Sequence, residues 1–307
     1  MMRDQSPRVS IGMPVYNGER FLRETLDSVL AQSFTDFELI ISDNASTDDT
    51  AEISHEYARR DRRIRYFRNE TNVGSSRNHK RVFALSSGEY FKWWDADDLC
   101  APDYLQKCVT VLDEQPGVVL CYPKSLIIDE NSQIVRPHED NLDIRSYSVV
   151  ERFKVALFRT NLCNPMYGLI RRDVLRKTSV MGNFPGADEI LLVELTLYGQ
   201  LWEVPERLYF RRVHAQASSS KRSLQDQQEF HDPQTRGKIF LRLWTHYFHH
   251  LVSILRSPLQ SMEKARLLGI VARTAIWNRQ QLLTELGAGF SRKIRVACRG
   301  GTRTASR

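Results

Sequence analysis

The chain has 307 residues, 41% of them apolar and 26% charged, which fits a folded protein with a full core and excludes disordered or collagen-like classes. No run of about 18 apolar residues occurs, so no membrane-spanning helix is expected. The first residues, Met1-Met2-Arg3-Asp4-Gln5-Ser6, lack the apolar core of a signal peptide. The net charge of +7 is uneven: residues 235–307 hold 14 Lys/Arg and two acids, so the basicity belongs to the C-terminal part. Five cysteines, odd in number and without a CxxC pair, read as reduced, mostly buried thiols of a cytoplasmic protein.

In chain order, Val9, Ile11, Met13 and Val15 alternate and predict a strand over 9–15 that ends at a Pro/Asn/Gly turn. Phe21, Leu22, Leu26, Val29 and Leu30 follow at helical spacing. Residues 37–41 predict a short buried strand, 48–60 a helix, and 64–67 a third strand. Asn72-Val73-Gly74 opens a helix to about residue 86, and 90–94 predict a fourth strand. Strands alternating with helices through short turns indicate an α/β fold, a mostly parallel sheet with helices on both faces.

The fourth strand runs straight into Asp95, Asp97 and Asp98. Clustered carboxylates repel unless something positive joins them. Hard oxygen ligands at a strand end suit Mg2+ or Mn2+. Trp93 and Trp94 alternate across the strand, and packing is their expected role.

The segments PVYN (14–17), SDNASTDDT (42–50), NVGSSRN (72–78) and SSGEYFKWWDADD (86–98), with Pro102-Asp103, resemble glycosyltransferase family 2. The likeness covers residues 9 to about 130 closely and 160 to 220 loosely. It implies a GT-A (Rossmann-like) nucleotide-sugar fold and inverting transfer. By this resemblance Asp97 is a metal ligand for Mn2+ or Mg2+, with Asp95 on ribose or on metal-bound water. Asp43 reads the N3–H of uracil or thymine, so the donor is a UDP- or dTDP-sugar. Pro14 and Tyr16 lie beside the base, and Arg77 reaches base or phosphate. Asp188 is the base that deprotonates the acceptor hydroxyl, with Glu189 as alternate. His214 is a metal ligand or phosphate contact. Ser42 and Ala187 stand where the family often has acids. No Gln-x-x-Arg-Trp signature of processive synthases is present, which favours a single sugar per encounter onto a glycan or lipid-linked acceptor. Asp48 and Asp49 read as helix-terminal acids.

The polar stretch 215–235 marks the boundary between a catalytic domain (1–225, nucleotide half about 8–130, acceptor half about 131–225) and a helical basic extension (226–307). In 236–256 the side chains Leu243, Trp244, Tyr247, Phe248, Leu251 and Leu255 share one broad stripe, expected to pack on the domain. A second helical run spans about 263–286. The aromatic–basic mixture also suits an anionic membrane surface, placing the protein in the cytoplasm, peripheral on the inner face of the membrane. No nucleic-acid motif accompanies it. Two rival functions are a nucleotide-sugar-binding protein without turnover and a nucleotidyltransferase. Tyr16-Asn17-Gly18-Glu19 lacks the Gly-rich basic loop that the latter needs.

Overall fold

The four expected strands form in a computed structural model that describes residues 6–146, 148–160, 162–215, 217 and 223–288. Cys298, the six cations after residue 289 and Ser218-Ser219-Ser220 lie outside the described residues. β1 (Val9–Val15), β2 (Phe37–Asp43), β3 (Ile64–Arg68) and β4 (Tyr90–Trp93) are parallel, in the order β3-β2-β1-β4. The crossovers are α1 (Glu19–Leu30), α2 (Thr50–Arg60) and α3 (Ser75–Ala84). Alternation in β1 does what the pattern requires: Val9, Ile11, Met13 and Val15 join the core under α1, together with Leu22, Leu26 and Val29. Trp93 and Trp94 enter opposite cores, one on each face of the sheet.

After β5 (Leu99–Cys100) and α4 (Tyr104–Glu114), β6 (Val118–Ile128) and β7 (Ile134–His138) form a hairpin. α5 (Val149–Arg159) and a 3-10 turn (Asn164–Tyr167) lead to β8 (Leu169–Arg171). α6 (Arg172–Leu175), α7 (Ala187–Leu195) and β9 (Gln200–Arg212) complete this half. β8 inserts antiparallel between β4 and β6, so the sheet is parallel in its first half and mixed in its second. β9 pairs parallel to β6 but skips residues 205–206, between the pairs Pro123–Val204 and Lys124–Arg207. Pro205 has no amide to donate, and a bulge is where a strand tolerates that.

The extension forms α8 (Leu224–His231), α9 (Arg242–Arg256) and α10 (Ser261–Trp277). Ile254, Leu267 and Val271 are buried in the same core as Phe91, Phe153 and Leu191. α9 is turned over relative to the sequence expectation. Its buried residues are His250, Ser253 and Ile254, whereas Trp244, Phe248, Leu251 and Leu255 face outward. The inward face meets α7, where Arg242 and Arg256 find Glu189 and Glu194, so polar partners rather than apolar area set the rotation. Among the described residues Cys100, Cys108, Cys121 and Cys163 are buried and form no disulfide, as expected for thiols that pack.

Candidate active site

The turn after β1 and the turn after β2 are stitched together. Asn44 N donates to Val15 O at 2.8 Å, Thr47 N to Asn17 Oδ1 at 2.9 Å, and Gly18 N to Thr50 Oγ1 at 2.8 Å. Asp48 accepts from Glu19 N and Thr50 N at the starts of α1 and α2, the helix-terminal role its position predicts. Pro14 sits in β1 opposite Ser42, and Tyr16 stands 48% exposed at the rim. Asp43 is fully buried. Its Oδ1 accepts from Ser46 N at 2.8 Å, and its Oδ2 accepts from Tyr66 Oη at 2.7 Å and Arg68 Nη1 at 3.0 Å. Arg68, Tyr66 and the Ser46 amide therefore fix the orientation of this carboxylate.

The acidic loop is held by its backbone. Thr25 Oγ1 donates to Ala96 O at 3.1 Å, Arg212 Nε to Asp97 O at 2.7 Å, and Trp94 Nε1 to Asp98 O at 3.1 Å. These bonds, from α1, β9 and the strand itself, aim the three side chains. Asp95, Asp97 and Asp98 bring carboxylate oxygens within 4.8 Å of one another. Asp98 is buried and committed: Tyr209 Oη donates to it, and so does Arg212 N at 2.7 Å. It fastens β9 to the loop. Asp95 Oδ2 accepts from Tyr167 Oη at 2.5 Å, with His79 Nε2 at 3.9 Å from its Oδ1. His214 Nε2 lies 2.9 Å from Asp97 Oδ2, its ring against Phe21, and its buried Nδ1 has no partner among the described residues. Burial and then the neighbouring Asp97 raise the pKa of Asp95, and the same causes with Asp95 added raise Asp98 well above the carboxylate range. An acid cluster that resists ionising together, with His214 Nε2 at its edge, fits a divalent cation bound by hard oxygen donors.

Two cations lie close by that sequence reasoning missed, Lys92 and the half-buried Arg211. Lys92 is fully buried, its Nζ donating to Tyr167 O and lying 4.3 Å from the Tyr104 ring centroid; burial lowers its pKa. Arg211 donates to Leu162 O at 2.8 Å and Asn164 Oδ1 at 2.7 Å. Burial works against its charge, but Tyr167, Tyr209, Asp98 and Asp95 around it outweigh that. Tyr167, Tyr209 and Lys92 carried no spacing signal, because each meets Asp95 or Asp98 only through the tertiary fold.

Asp188 and Glu189 occupy the first turn of α7, behind Gly186. Asp188 is partly exposed and accepts from Glu189 N at 3.0 Å. Glu189 is held by Arg242 Nη2 at 3.0 Å, with His246 Nδ1 at 3.8 Å; burial raises its pKa although Arg242 opposes this. Cys163 lies beside Asp188, and burial, then that carboxylate, push its thiol pKa well up. The 3-10 turn thus connects Asp188 at one end to the Asp95 partner Tyr167 at the other, about 8 Å of helical rise. Arg77 is turned toward the extension, donating to Asp232 Oδ2 at 3.3 Å and Gln234 Oε1 at 2.8 Å.

The family model described as "Glycosyl transferase family 2" matches residues 10–179. An uncharacterized glycosyltransferase of Haemophilus influenzae is 26% identical over 229 residues, 71% of this chain and 69% of its own. Other curated relatives are matched over about half their length, 46%. Among solved structures, S. aureus TarS 1-349 in complex with UDP-GlcNAc superposes with a TM-score of 0.63 at 16% identity, over 93% of this chain and 81% of that one. A mannosyltransferase from Pyrobaculum calidifontis in complex with GDP-Man and Mn2+ gives 0.55 at 16%, over 99% and 82%. These two likenesses concern the fold.

Proposed function

The chain belongs to glycosyl transferase family 2, and from that premise we propose an inverting, metal-dependent transfer of one sugar from a UDP- or dTDP-sugar to a hydroxyl acceptor. The acceptor is a lipid-linked or cell-surface glycan precursor, which would bring a cytoplasmic enzyme to the inner face of a membrane. The observation that carries the reading is the meeting of Asp95, Asp97 and His214, near the strand end, with Asp188 across one 3-10 turn. Nucleotide sugars bound to two proteins of this fold support it.

Each residue then has a task. Asp188, partly exposed and in no ion pair with a described residue, accepts the proton of the acceptor hydroxyl. The acceptor oxygen forms its bond to the anomeric carbon as the bond to the diphosphate oxygen breaks, and the diphosphate leaves with the electron pair. A divalent ion, Mn2+ or Mg2+, held by Asp97 with Asp95 and His214 beside it, would neutralise charge on that leaving group. Tyr167 and Arg211 fix the Asp95 side of the cleft. Asp43 Oδ1 accepts a pyrimidine N3–H, with Pro14 and Tyr16 alongside, once the Ser46 turn that buries it opens. Arg77 reaches base or phosphate by leaving Asp232.

The test is a panel of nucleotide sugars followed by thermal shift, with and without Mn2+ or Mg2+. A ligand at 100 times its dissociation constant stabilises by about 2.7 kcal/mol. A shift for UDP- or dTDP-sugars that needs the metal is expected. A shift only for GDP-sugars would overturn the pyrimidine assignment, and none for any nucleotide sugar would overturn the whole reading.

A further inference from the structure

We propose that the outward face of α9 and α10 docks on an anionic lipid surface. Trp244, Phe248, Leu251 and Leu255 are 42%, 61%, 37% and 60% exposed. At 100° per residue they fall within an arc of about 60°. This is a stripe of large apolar side chains with its polar counterpart packed inward, the reverse of an ordinary surface helix. α10 runs back alongside α9: Lys264 Nζ donates to Leu255 O at 2.8 Å, Asn278 Nδ2 to Tyr247 Oη at 2.9 Å, and Trp244 Nε1 to Leu282 O at 3.1 Å. It adds Met262, Ile276 and Trp277, which are 67%, 64% and 84% exposed.

Charge selects the occupant. Residues 236–288 hold eight Lys/Arg and two acids, Glu263 and Glu285. Both acids are engaged at helix starts, Glu263 with Gln260 N and Glu285 with Leu243 N. Arg266, Arg273 and Arg279 are exposed among the apolar side chains. The described chain stops at residue 288, next to the Trp244 end of the stripe, and the following 19 residues hold six Lys/Arg and no acid. A second copy would set cations against cations. An anionic bilayer takes both components, apolar side chains below the headgroups and cations among them. No helix of the described residues is long and apolar enough to cross a membrane, so the contact is peripheral. The proposal is independent of the transfer reaction.

The experiment is sedimentation of the full chain with phosphatidylcholine vesicles, with and without phosphatidylglycerol, at low and high salt. Binding should require phosphatidylglycerol and be released by salt. Phe248→Ser with Leu255→Ser should weaken it roughly tenfold or more, since two large apolar contacts are lost. Both side chains are exposed, so thermal unfolding should be unchanged. Should that variant misfold, Trp277→Ser serves instead, with a smaller loss expected. Three results overturn the proposal: no binding of the full chain to phosphatidylglycerol vesicles; equal binding by folded stripe variants; or a dimer in light scattering that the stripe substitutions dissolve, which would make the face a self-interface.

Discussion

At Asp97 and Asp188 similar carboxylates sit in different surroundings, and the difference sets what each substitution should do. Asp97 touches His214 within an acid cluster. Asp97→Asn is nearly isosteric and should leave thermal stability intact while abolishing the Mn2+-dependent part of UDP binding; undiminished binding with Mn2+ in this variant would remove its ligand role. Asp188 accepts one backbone hydrogen bond, whereas Glu189 is tied to Arg242. Asp188→Asn should therefore slow transfer by about two powers of ten or more with donor affinity unchanged. Glu189→Gln should affect rate less, because the Arg242 contact survives in weakened form. The reverse ranking would assign the base to Glu189. Asp95, Asp97, Asp188 and His214 were singled out in the chain through the acidic run after β4 and the family resemblance. Tyr167, Lys92 and Arg211 were not, since a buried amine between aromatic rings has no local pattern.

Among the elements, β1 to β4 were readable because each is a run of apolar residues followed by a turn and a helix. β8 has three residues and β5 two, too short for any period to show. Glu203, Pro205 and Glu206 disguise the first half of β9. α9 was read as a helix with its faces reversed, because periodicity gives a stripe without saying which side the protein covers. The buried side carries His250, whose pKa burial lowers from 6.5 to about 3. Between those values the unfolded chain binds a proton that the folded chain refuses. Stability is thus complete above pH 6.5 and declines as pH falls toward 3. The part due to this residue should be a few kcal/mol in total. Urea midpoints across that window should fall with acidity, and His250→Leu should flatten the slope; an unchanged slope would place the proton elsewhere.

For the molecule as a whole, the composition break near residue 225 is not a break in the core. Ile254, Leu267 and Val271 come from the extension and lie among residues of β4, α5 and α7. Each such side chain contributes roughly 1.5–3 kcal/mol on burial, against a total margin of about 5–15 kcal/mol. A chain ending at residue 234 should lose cooperative unfolding and collect in the insoluble fraction. A soluble, cooperatively folding product of that length would show that the core closes without the extension.

The two helices that open toward the cleft, α3 and α7, each begin at a glycine in the left-handed region, Gly74 at φ 88° and Gly186 at φ 83°. A β-carbon on Gly74 would meet His231 O at 2.6 Å, and one on Gly186 would meet His246 Nε2 at 2.5 Å. Both helix starts are therefore covered by residues that leave the ribosome late. The parallel half of the sheet emerges first, and the core beneath α1 is completed later by Leu169, Val204, Leu208 and Tyr209. The acid loop waits for Tyr209 and Arg212, and the two glycine-led rims wait for residues 231–246. A nascent chain halted midway thus holds the carboxylates without two of the groups that aim them, Tyr209 and Arg212. Ordering of the acid loop by Tyr209 and Arg212 is accordingly a marker of completed synthesis and folding.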